Sequence, residues 1–246
     1  MTPVVRRARP ALGTLVDAGA CGEGDGLRAI TAAFAAIAAV ERALSRQRTD
    51  SELYRLNAAP AGVAMPAGTH LHAVLACARD LHRASAGIFD VACGTARGDC
   101  GFLMGDGVVT RGAGVTLSLD GIAKGYAVDR AADAMRESGI ASGWVNAGGD
   151  LRVFGALELP VTVHIGRRRH AVALRECALA TSEYGRARRA GARSTLGRGR
   201  GSSHRAATVA APECVLADAL TKVVAVQGRQ ARMLVESLGA SIVVVR

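Results

Sequence analysis

Residues 119–155 read LDGIAKGYAVDRAADAMRESGIASGWVNAGGDLRVFG, and this stretch decides the fold. A strand around 115–119 is predicted to enter a glycine-bounded turn. Apolar residues at helical spacing then predict a helix that starts near residue 125 and ends at Gly139. The segment GWVNAGGDLRVFG predicts a strand, a Gly-Gly turn and another strand. Strands joined by so short a turn pair antiparallel, so the stretch combines one helix with an antiparallel hairpin.

The sequence on either side of this stretch favours the α+β class, with largely antiparallel sheets packed with helices. An opening strand at 11–20 precedes an amphipathic helix with Asp25 as its N-cap, and a second helix around 71–81 follows a polar loop. Since the elements show no regular βαβ repetition, a doubly wound sheet is not favoured, and we expect a single domain over 1–246. Further strands are predicted at 161–165, 171–175, 206–211 and 241–246, and further helices at 216–227 and 229–238.

Positive charge is concentrated in one arginine-rich segment. The chain has 31 Lys and Arg against 21 Asp and Glu, a formal net charge of +10, and the 165–205 segment alone holds eleven Arg and two Glu. We expect a mobile, solvated Arg- and Gly-rich loop at about 186–205. Nucleic-acid binding is the weaker alternative, because Tyr184 is the only aromatic residue in this segment that could stack on a base.

Neither a membrane segment nor a cysteine-based site is predicted. No apolar run approaches the roughly 20 residues that span a bilayer, and the start of the chain lacks a secretory signal pattern, so we expect a cytoplasmic protein. The six cysteines show no CxxC spacing and are interpreted as free thiols. Lysine is rare: Lys124 and Lys222 are the only two, and each lies in a motif that carries chemistry.

Three short motifs combine charged or amide side chains with glycines or with a helix start. In LDGIAKGYA, Lys124 at a helix N-terminus suits a phosphate, although it could equally cap a carbonyl or pair with Asp120. In NAGGD, Asn146 and Asp150 can hold a ligand, although a plain hairpin needs the same residues. In ECVLADALTKVV, Asp218 is either a metal ligand or a residue that compensates a helix dipole.

Taken together and in this order, the motifs resemble the ApbE-type family of FAD:protein FMN transferases. The matching segments span nearly the whole chain, and the run over 119–155 is the most specific of them. The resemblance implies an ApbE-like fold, with FAD and an acceptor flavoprotein as partners. The other matching segments are LGT at 12–14, LSRQRTDSELYRLNA at 44–58, GIFDVACG at 87–94, LATS at 179–182 and ADAL at 217–220.

The reaction that the resemblance implies is a Mg²⁺-dependent phosphoryl transfer. A Thr or Ser hydroxyl of the acceptor attacks the FMN phosphorus of FAD, and AMP leaves; such chemistry needs charge neutralisation at the pyrophosphate and little covalent help. By the same resemblance, Lys124 and Asp218 are the expected catalytic residues, and the Ala123 carbonyl, Asp218 and Thr221 would hold the metal. The residues expected to line the FAD cleft are Gly13, Thr14, Ser51, Asn57, Asp90, Lys124, Asn146, Gly148, Gly149 and Asp150.

Two departures from the family pattern lie in the C-terminal half. The element His-x-x-Asp-Pro-x-Thr-Gly is replaced by RSTLGRGRGSSHRAA, without Asp or Pro, and Lys222 stands where the family usually has Thr. A lysine beside Asp218 could take the place of part of the cation's charge or bind a phosphate directly, and either would change the metal dependence. A flavin-binding relative without transferase activity is therefore the main alternative.

Overall fold

The computed structural model of the chain describes residues 4–95, 99–165, 167–183 and 206–246, so the loop predicted at about 186–205 lies outside the described residues. The described helices are α1 (Gly26–Leu44), α2 (Glu52–Ala58), α3 (Thr69–Ala84), α4 (Ala123–Glu137), α5 (Cys214–Gln227) and α6 (Arg232–Ser237), the last preceded by a 3-10 turn (Gly228–Ala231). The described strands are β1 (Val4–Ala11), β2 (Thr14–Cys21), β3 (Ala64–Pro66), β4 (Phe102–Gly105), β5 (Val108–Arg111), β6 (Ser142–Ala147), β7 (Asp150–Ile165), β8 (Arg168–Glu183), β9 (Ala206–Ala211) and β10 (Ser241–Val245).

Two antiparallel sheets hold the described strands. The larger sheet has the order β1-β2-β6-β7-β8-β9-β10, and every neighbouring pair in it is antiparallel. The smaller sheet has the order β3-β5-β4 and is also antiparallel. Mixed helices and antiparallel sheets confirm the predicted α+β class.

Three helices form a layer on the larger sheet, in the same order as the strands beneath them. Helix α1 contacts β1 and β2, α4 contacts β6 and β7, and α5 contacts β8 and β9, while α4 also packs between α1 and α5. The apolar face predicted for α4, which includes Val128 and Met135, is fully buried in the main core. None of the described helices combines the length and the hydrophobicity that crossing a membrane requires.

The opening strand predicted at 11–20 is confirmed over 14–20 as part of β2, but the predicted segment also contains a hairpin turn that the sequence did not reveal. Strand β1 ends at Ala11, and Leu12 and Gly13 turn the chain with φ of 53° and 70° before β2 begins at Thr14. A two-residue turn of this kind requires positive φ at both central residues, which the sequence usually marks with Asn, Asp or Gly. Leu at the first position removes half of that signal.

Other predicted elements differ from the structure for local reasons. Residues 115–119 do not form a strand. Instead of pairing with another strand, the Leu117 backbone bonds both polar groups of the Asn57 amide, at 2.9 Å and 2.8 Å. The strands predicted at 161–165 and 171–175 are parts of the longer strands β7 and β8. Helix α2 lies in the segment interpreted as a polar loop, and the helix predicted at 229–238 begins as a 3-10 turn.

Candidate active site

Two hairpin turns lie side by side at one end of the larger sheet. In the β6–β7 turn, Gly148 and Gly149 have φ of 60° and 100°, which glycine adopts without strain. A Cβ on Gly148 would lie 2.5 Å from Thr14 Oγ1, so the start of β2 packs closely against this turn. The side-chain oxygen of Asn146 accepts a hydrogen bond from the Gly149 N–H at 3.0 Å. This bond closes the turn that leads to Asp150.

Lys124 and Asp150 form an ion pair between the start of α4 and the start of β7. The Lys124 Nζ lies 3.2 Å from Asp150 Oδ2, and the Lys124 side chain is 31% exposed whereas that of Asp150 is 2% exposed. The contact lies outside hydrogen-bond geometry, so this buried oxygen has no hydrogen-bond donor among the described residues. Asp120, the other partner considered for Lys124, instead lies 3.0 Å from Arg46 Nη2.

The Asp150 carboxyl has a pKa far above its ordinary value. Burial raises the pKa of Asp150 from 3.8 to about 7, and the neighbouring Asp218 carboxylate adds to the rise, while Lys124 and Lys222 oppose it. A carboxyl group with such a pKa can take up or release a proton near neutral pH.

Asp218, on α5, is buried and bonds two groups through its two carboxylate oxygens. Its Oδ2 accepts a hydrogen bond from the Gly125 N–H at 3.2 Å, and its Oδ1 accepts one from Lys222 Nζ at 2.6 Å. Helix α4 has no side-chain cap of its own, so Asp218 compensates the dipole of α4 rather than that of α5. The dipole role considered for Asp218 is present, but it serves the neighbouring helix.

Asp129 performs the reverse capping, because it lies on α4 and bonds the start of α5. Its two oxygens accept hydrogen bonds from the Cys214 and Val215 N–H groups, both at 2.8 Å. Burial raises the pKa of Asp129 to about 6. No role was predicted for Asp129 from the sequence. Its position, four residues after Gly125 and three before Ala132, places it on the apolar face of the helix, and an acidic residue there signals a buried role.

Gly125 allows the two helices to approach closely enough for this exchange. A Cβ at Gly125 would collide with the Cys214 carbonyl and would lie 2.9 Å from Asp218 Cβ. The glycine that follows Lys124 is therefore required by the packing of α4 on α5. It brings the backbone of the LDGIAKGYA segment onto the Asp218 carboxylate.

Lys222 lies among oxygen atoms of α5 and β8. Its Nζ donates to Asp218 Oδ1 at 2.6 Å, to Ser182 Oγ at 3.0 Å, and to the Asp218 carbonyl and Thr221 Oγ1 at 3.1 Å each. Thr221 Oγ1 in turn donates to the Asp218 carbonyl at 2.6 Å and lies 2.8 Å from Ser182 Oγ. Ser182 was not predicted as a site residue, although it closes the LATS segment.

This arrangement does not fit a divalent cation beside Asp218 and Thr221. Asp218 Oδ1 and Thr221 Oγ1 both accept hydrogen bonds from the Lys222 ammonium, and a second cation there would be repelled. No cluster of three or more His, Cys, Asp and Glu side chains that could hold a metal occurs in the described part of the chain. Metal binding by Ala123, Asp218 and Thr221 stays a prediction.

Two cavities adjoin the pair of turns. One, of about 390 Å³, is lined by Gly13, Ala123 and Lys124 together with Asp120 and the end of α1. The other, of about 480 Å³, is lined by the Asn146 to Gly149 turn and by parts of β7 and β8. Both volumes lie in the range of small-molecule sites. A larger cavity of about 960 Å³ beside the smaller sheet contains none of the predicted site residues.

Three of the predicted cleft residues bond neighbouring backbone groups instead of facing these cavities. The buried Ser51 hydroxyl caps α2 through the Tyr54 N–H at 3.0 Å and donates to the Ser45 carbonyl at 2.5 Å. Asp90 accepts from the Ala92 and Gly94 N–H groups at 2.8 Å each. Together with Asn57, these side chains hold loops in place, and their contact with a ligand stays a prediction.

Comparisons with known proteins identify the family and the fold of the chain. The chain matches the ApbE family over residues 12–107 and 103–244. No curated protein matches the sequence.

Three similar solved structures have the same fold. The flavin transferase ApbE from Vibrio cholerae is 20% identical, with a TM-score of 0.83 over 98% of this chain and 93% of that one. The flavinyl transferase ApbE from Pseudomonas stutzeri, in its apo form, is 21% identical, with a TM-score of 0.84 over 100% and 92%. The ApbE protein from Thermotoga maritima is 22% identical, with a TM-score of 0.81 over 99% and 96%.

Proposed function

The chain belongs to the ApbE family, and from this premise we propose that it is an FAD:protein FMN transferase. Similar structures bear the names flavin transferase and flavinyl transferase, which supports the same activity class for this chain. One observation carries the proposal: Lys124, in the first turn of α4, lines a cavity together with Gly13, and within the described part of the chain its ammonium is held by a single, partly exposed ion pair with Asp150.

The proposed reaction moves FMN from FAD to a Thr or Ser hydroxyl of an acceptor flavoprotein. The hydroxyl oxygen bonds the FMN phosphorus, the bond from that phosphorus to the bridging pyrophosphate oxygen breaks, and AMP leaves with the bridging oxygen. The hydroxyl loses its proton in this step. Because the phosphoryl group is transferred with little covalent help, the protein must mainly position the pyrophosphate and neutralise its charge.

The residues of this chain divide these tasks. The Lys124 ammonium and the positive end of the α4 dipole attract the pyrophosphate. When Lys124 turns towards phosphate, the buried Asp150 carboxyl loses its ion-pair partner. Asp150 has a pKa of about 7 and is our candidate to receive the hydroxyl proton. The Gly148-Gly149 turn lets the backbone approach the ligand closely.

Mg²⁺ dependence and a cytoplasmic location were also predicted, and both stay predictions. Mg²⁺ would neutralise charge on the phosphates when bound. Because Lys222 already bonds the carboxylate expected to hold the ion, we assign no step of the reaction to a metal.

The proposal can be tested with purified protein, FAD and an acceptor flavoprotein that carries a Thr or Ser flavinylation site. We expect the acceptor to gain one FMN on that hydroxyl, detected by mass spectrometry of its peptides, together with an equal amount of AMP. The incubation is run with Mg²⁺ and with a chelator in parallel, so that the outcome does not depend on the metal. An acceptor with the hydroxyl residue changed to Ala is the control.

A flavin-binding protein without transfer activity is the second candidate function. It is favoured by the replacement of the family's His-x-x-Asp-Pro-x-Thr-Gly element, whose counterpart lies mostly outside the described residues. Tight FAD binding without an acceptor adduct in either incubation would support this candidate and contradict the transferase proposal. If FAD does not bind under either condition, both candidates fail.

A further inference from the structure

The environment of the Lys222 ammonium resembles a cation site built from protein oxygens. Four oxygens of the described residues lie within 3.1 Å of Nζ, and they comprise one carboxylate oxygen, one main-chain carbonyl and two hydroxyls. An ammonium has three hydrogen atoms to donate, so the oxygens outnumber its donors. We call these four oxygens, which belong to Asp218, Thr221 and Ser182, the oxygen cage.

The oxygen cage is an interior feature rather than a surface ion pair. The Lys222 side chain is 13% exposed and that of Asp218 is 3% exposed. Exposed lysine and aspartate side chains at this helical spacing contribute little, because water competes for both groups and the long side chain loses freedom. A buried carboxylate has no such competitor, so it requires a positive partner within the protein.

The types of oxygen atom in the oxygen cage also indicate a cation site. Carboxylate, carbonyl and hydroxyl oxygens are the atoms that bind hard divalent cations such as Mg²⁺ and Mn²⁺. In this chain the same atoms contact an ammonium, at 2.6–3.1 Å. These distances are those of N–H···O hydrogen bonds, whereas Mg²⁺ would need oxygens at about 2.0–2.1 Å.

The pairing of charges at the site also indicates that an ammonium belongs in the oxygen cage. Two of the buried carboxylates of the site, Asp150 and Asp218, each lie beside one ammonium, from Lys124 and Lys222 respectively. Both lysines of the chain are used here, although the other 29 of its 31 basic residues are arginine. A lysine is a compact point charge on a flexible stem, whereas a guanidinium is a planar fork that does not fit a small oxygen cage.

We propose that the Lys222 ammonium is the permanent cation of this site and takes the place of a divalent metal ion. The oxygen cage is then filled in the protein alone, and FAD binding does not require Mg²⁺. The statement about FAD rests on the proposed function, whereas the statement about the cage does not.

Electron paramagnetic resonance of Mn²⁺ tests the cage without any flavin or acceptor. We expect the unchanged protein to leave the free Mn²⁺ signal intact, and Lys222→Met to bind one Mn²⁺ at least about tenfold more tightly, because the like charge is gone. Adding Mg²⁺ should release this Mn²⁺. Combining Lys222→Met with Asp218→Asn should remove the gain.

Lys124→Met is the matched control, because it removes the other lysine of the site and leaves the Lys222 ammonium in the oxygen cage. It should bind Mn²⁺ no better than the unchanged protein. The proposal is overturned if the unchanged protein binds Mn²⁺ as tightly as Lys222→Met, if neither binds it, or if Lys124→Met gains the same affinity. Circular dichroism verifies that each variant is folded before the comparison is made.

FAD titration of the unchanged protein gives a second measurement that does not depend on any variant folding. We expect the same FAD affinity in the presence of a chelator and of Mg²⁺. An affinity about tenfold or more weaker in the chelator would contradict the proposal. If FAD fails to bind in both conditions, the proposed function fails, and the Mn²⁺ experiment alone decides whether Lys222 fills the cage.

Discussion

The two lysine–aspartate pairs at the site differ in how firmly each lysine is held. Lys124 is 31% exposed, touches one buried oxygen of Asp150 outside hydrogen-bond geometry, and faces a cavity. Lys222 is 13% exposed and contacts four oxygens of the residues that the structure describes. A positive charge with one poor partner is available to an incoming anion, whereas one with several good partners is part of the protein's own charge balance. From this difference we propose that Lys124 binds ligand and that Lys222 is structural.

The largest effect should follow from removing the carboxylate of the firmly held pair. Asp218→Ala leaves a buried ammonium and the Gly125 N–H without their partner, so the free energy of unfolding should fall by about 3–5 kcal/mol. Chemical denaturation measures this change. The double variant Asp218→Ala with Lys222→Met should recover part of the loss, because the unpaired charge is gone. Equal losses in the single and double variants would contradict the pairing.

Gly125→Ala should move α4 away from α5, and it therefore tests whether the Asp218 site depends on the close approach of these two helices. In an exposed helix this change stabilises by up to about 1 kcal/mol, but here the new methyl group collides with the Cys214 carbonyl. We expect a loss of about 1–3 kcal/mol in the free energy of unfolding. Ala134→Gly, on a less buried part of α4, is the control and should cost about 1 kcal/mol. A more stable Gly125→Ala variant would show that the helices do not approach this closely.

Lys124→Ala tests whether the loosely held lysine binds phosphate. We expect FAD affinity to fall about ten- to a hundredfold, the value of one charge-assisted hydrogen bond, as measured by isothermal titration. Riboflavin affinity should change little, because riboflavin has no phosphate. The control is Arg232→Ala, which removes an exposed positive charge that pairs with Glu236 within α6. It should leave both affinities unchanged. Equal losses for FAD and riboflavin would contradict the role of Lys124.

Asp150 should contribute a pH dependence to the stability of the protein. Its pKa is about 7 in the folded protein and 3.8 when unperturbed, so between these values the folded state binds the extra proton. Stability should therefore fall as the pH rises from about 4 to about 7. Asp150→Asn should remove this part of the profile, measured as thermal unfolding across the pH range. Parallel profiles for the two proteins would show that the Asp150 pKa is not raised.

Local patterns in the sequence predicted the helices of the main layer well. The N-cap of α1 at Asp25, the buried face of α4 and the position of β9 are all confirmed. The apolar residues of each helix recur at helical spacing because one face of the helix is buried against a neighbouring element. This pattern can be read from the sequence alone. The β1–β2 turn was missed because Leu12, with φ of 53°, carries no turn signal.

The partners of the site residues could not be predicted in the same way. Asp129 bonds Cys214, and Gly125 bonds Asp218, over separations of 85 and 93 residues. No local pattern specifies such contacts, because they arise only when α4 and α5 pack against each other. For the same reason, the sequence suggested Asp120 as a partner for Lys124, whereas the fold places Asp150 beside it.

The central claim, that the two lysines have different roles, can be tested in one nuclear magnetic resonance experiment on protein labelled with ¹⁵N-lysine. Only Lys124 and Lys222 carry the label, so the ammonium region contains at most two signals, and Lys124→Ala assigns them. We predict a Lys222 ammonium signal that persists unshifted when Mg²⁺ is added, and a Lys124 signal that changes only when FAD is added. Loss or displacement of the Lys222 signal by Mg²⁺ would contradict the claim.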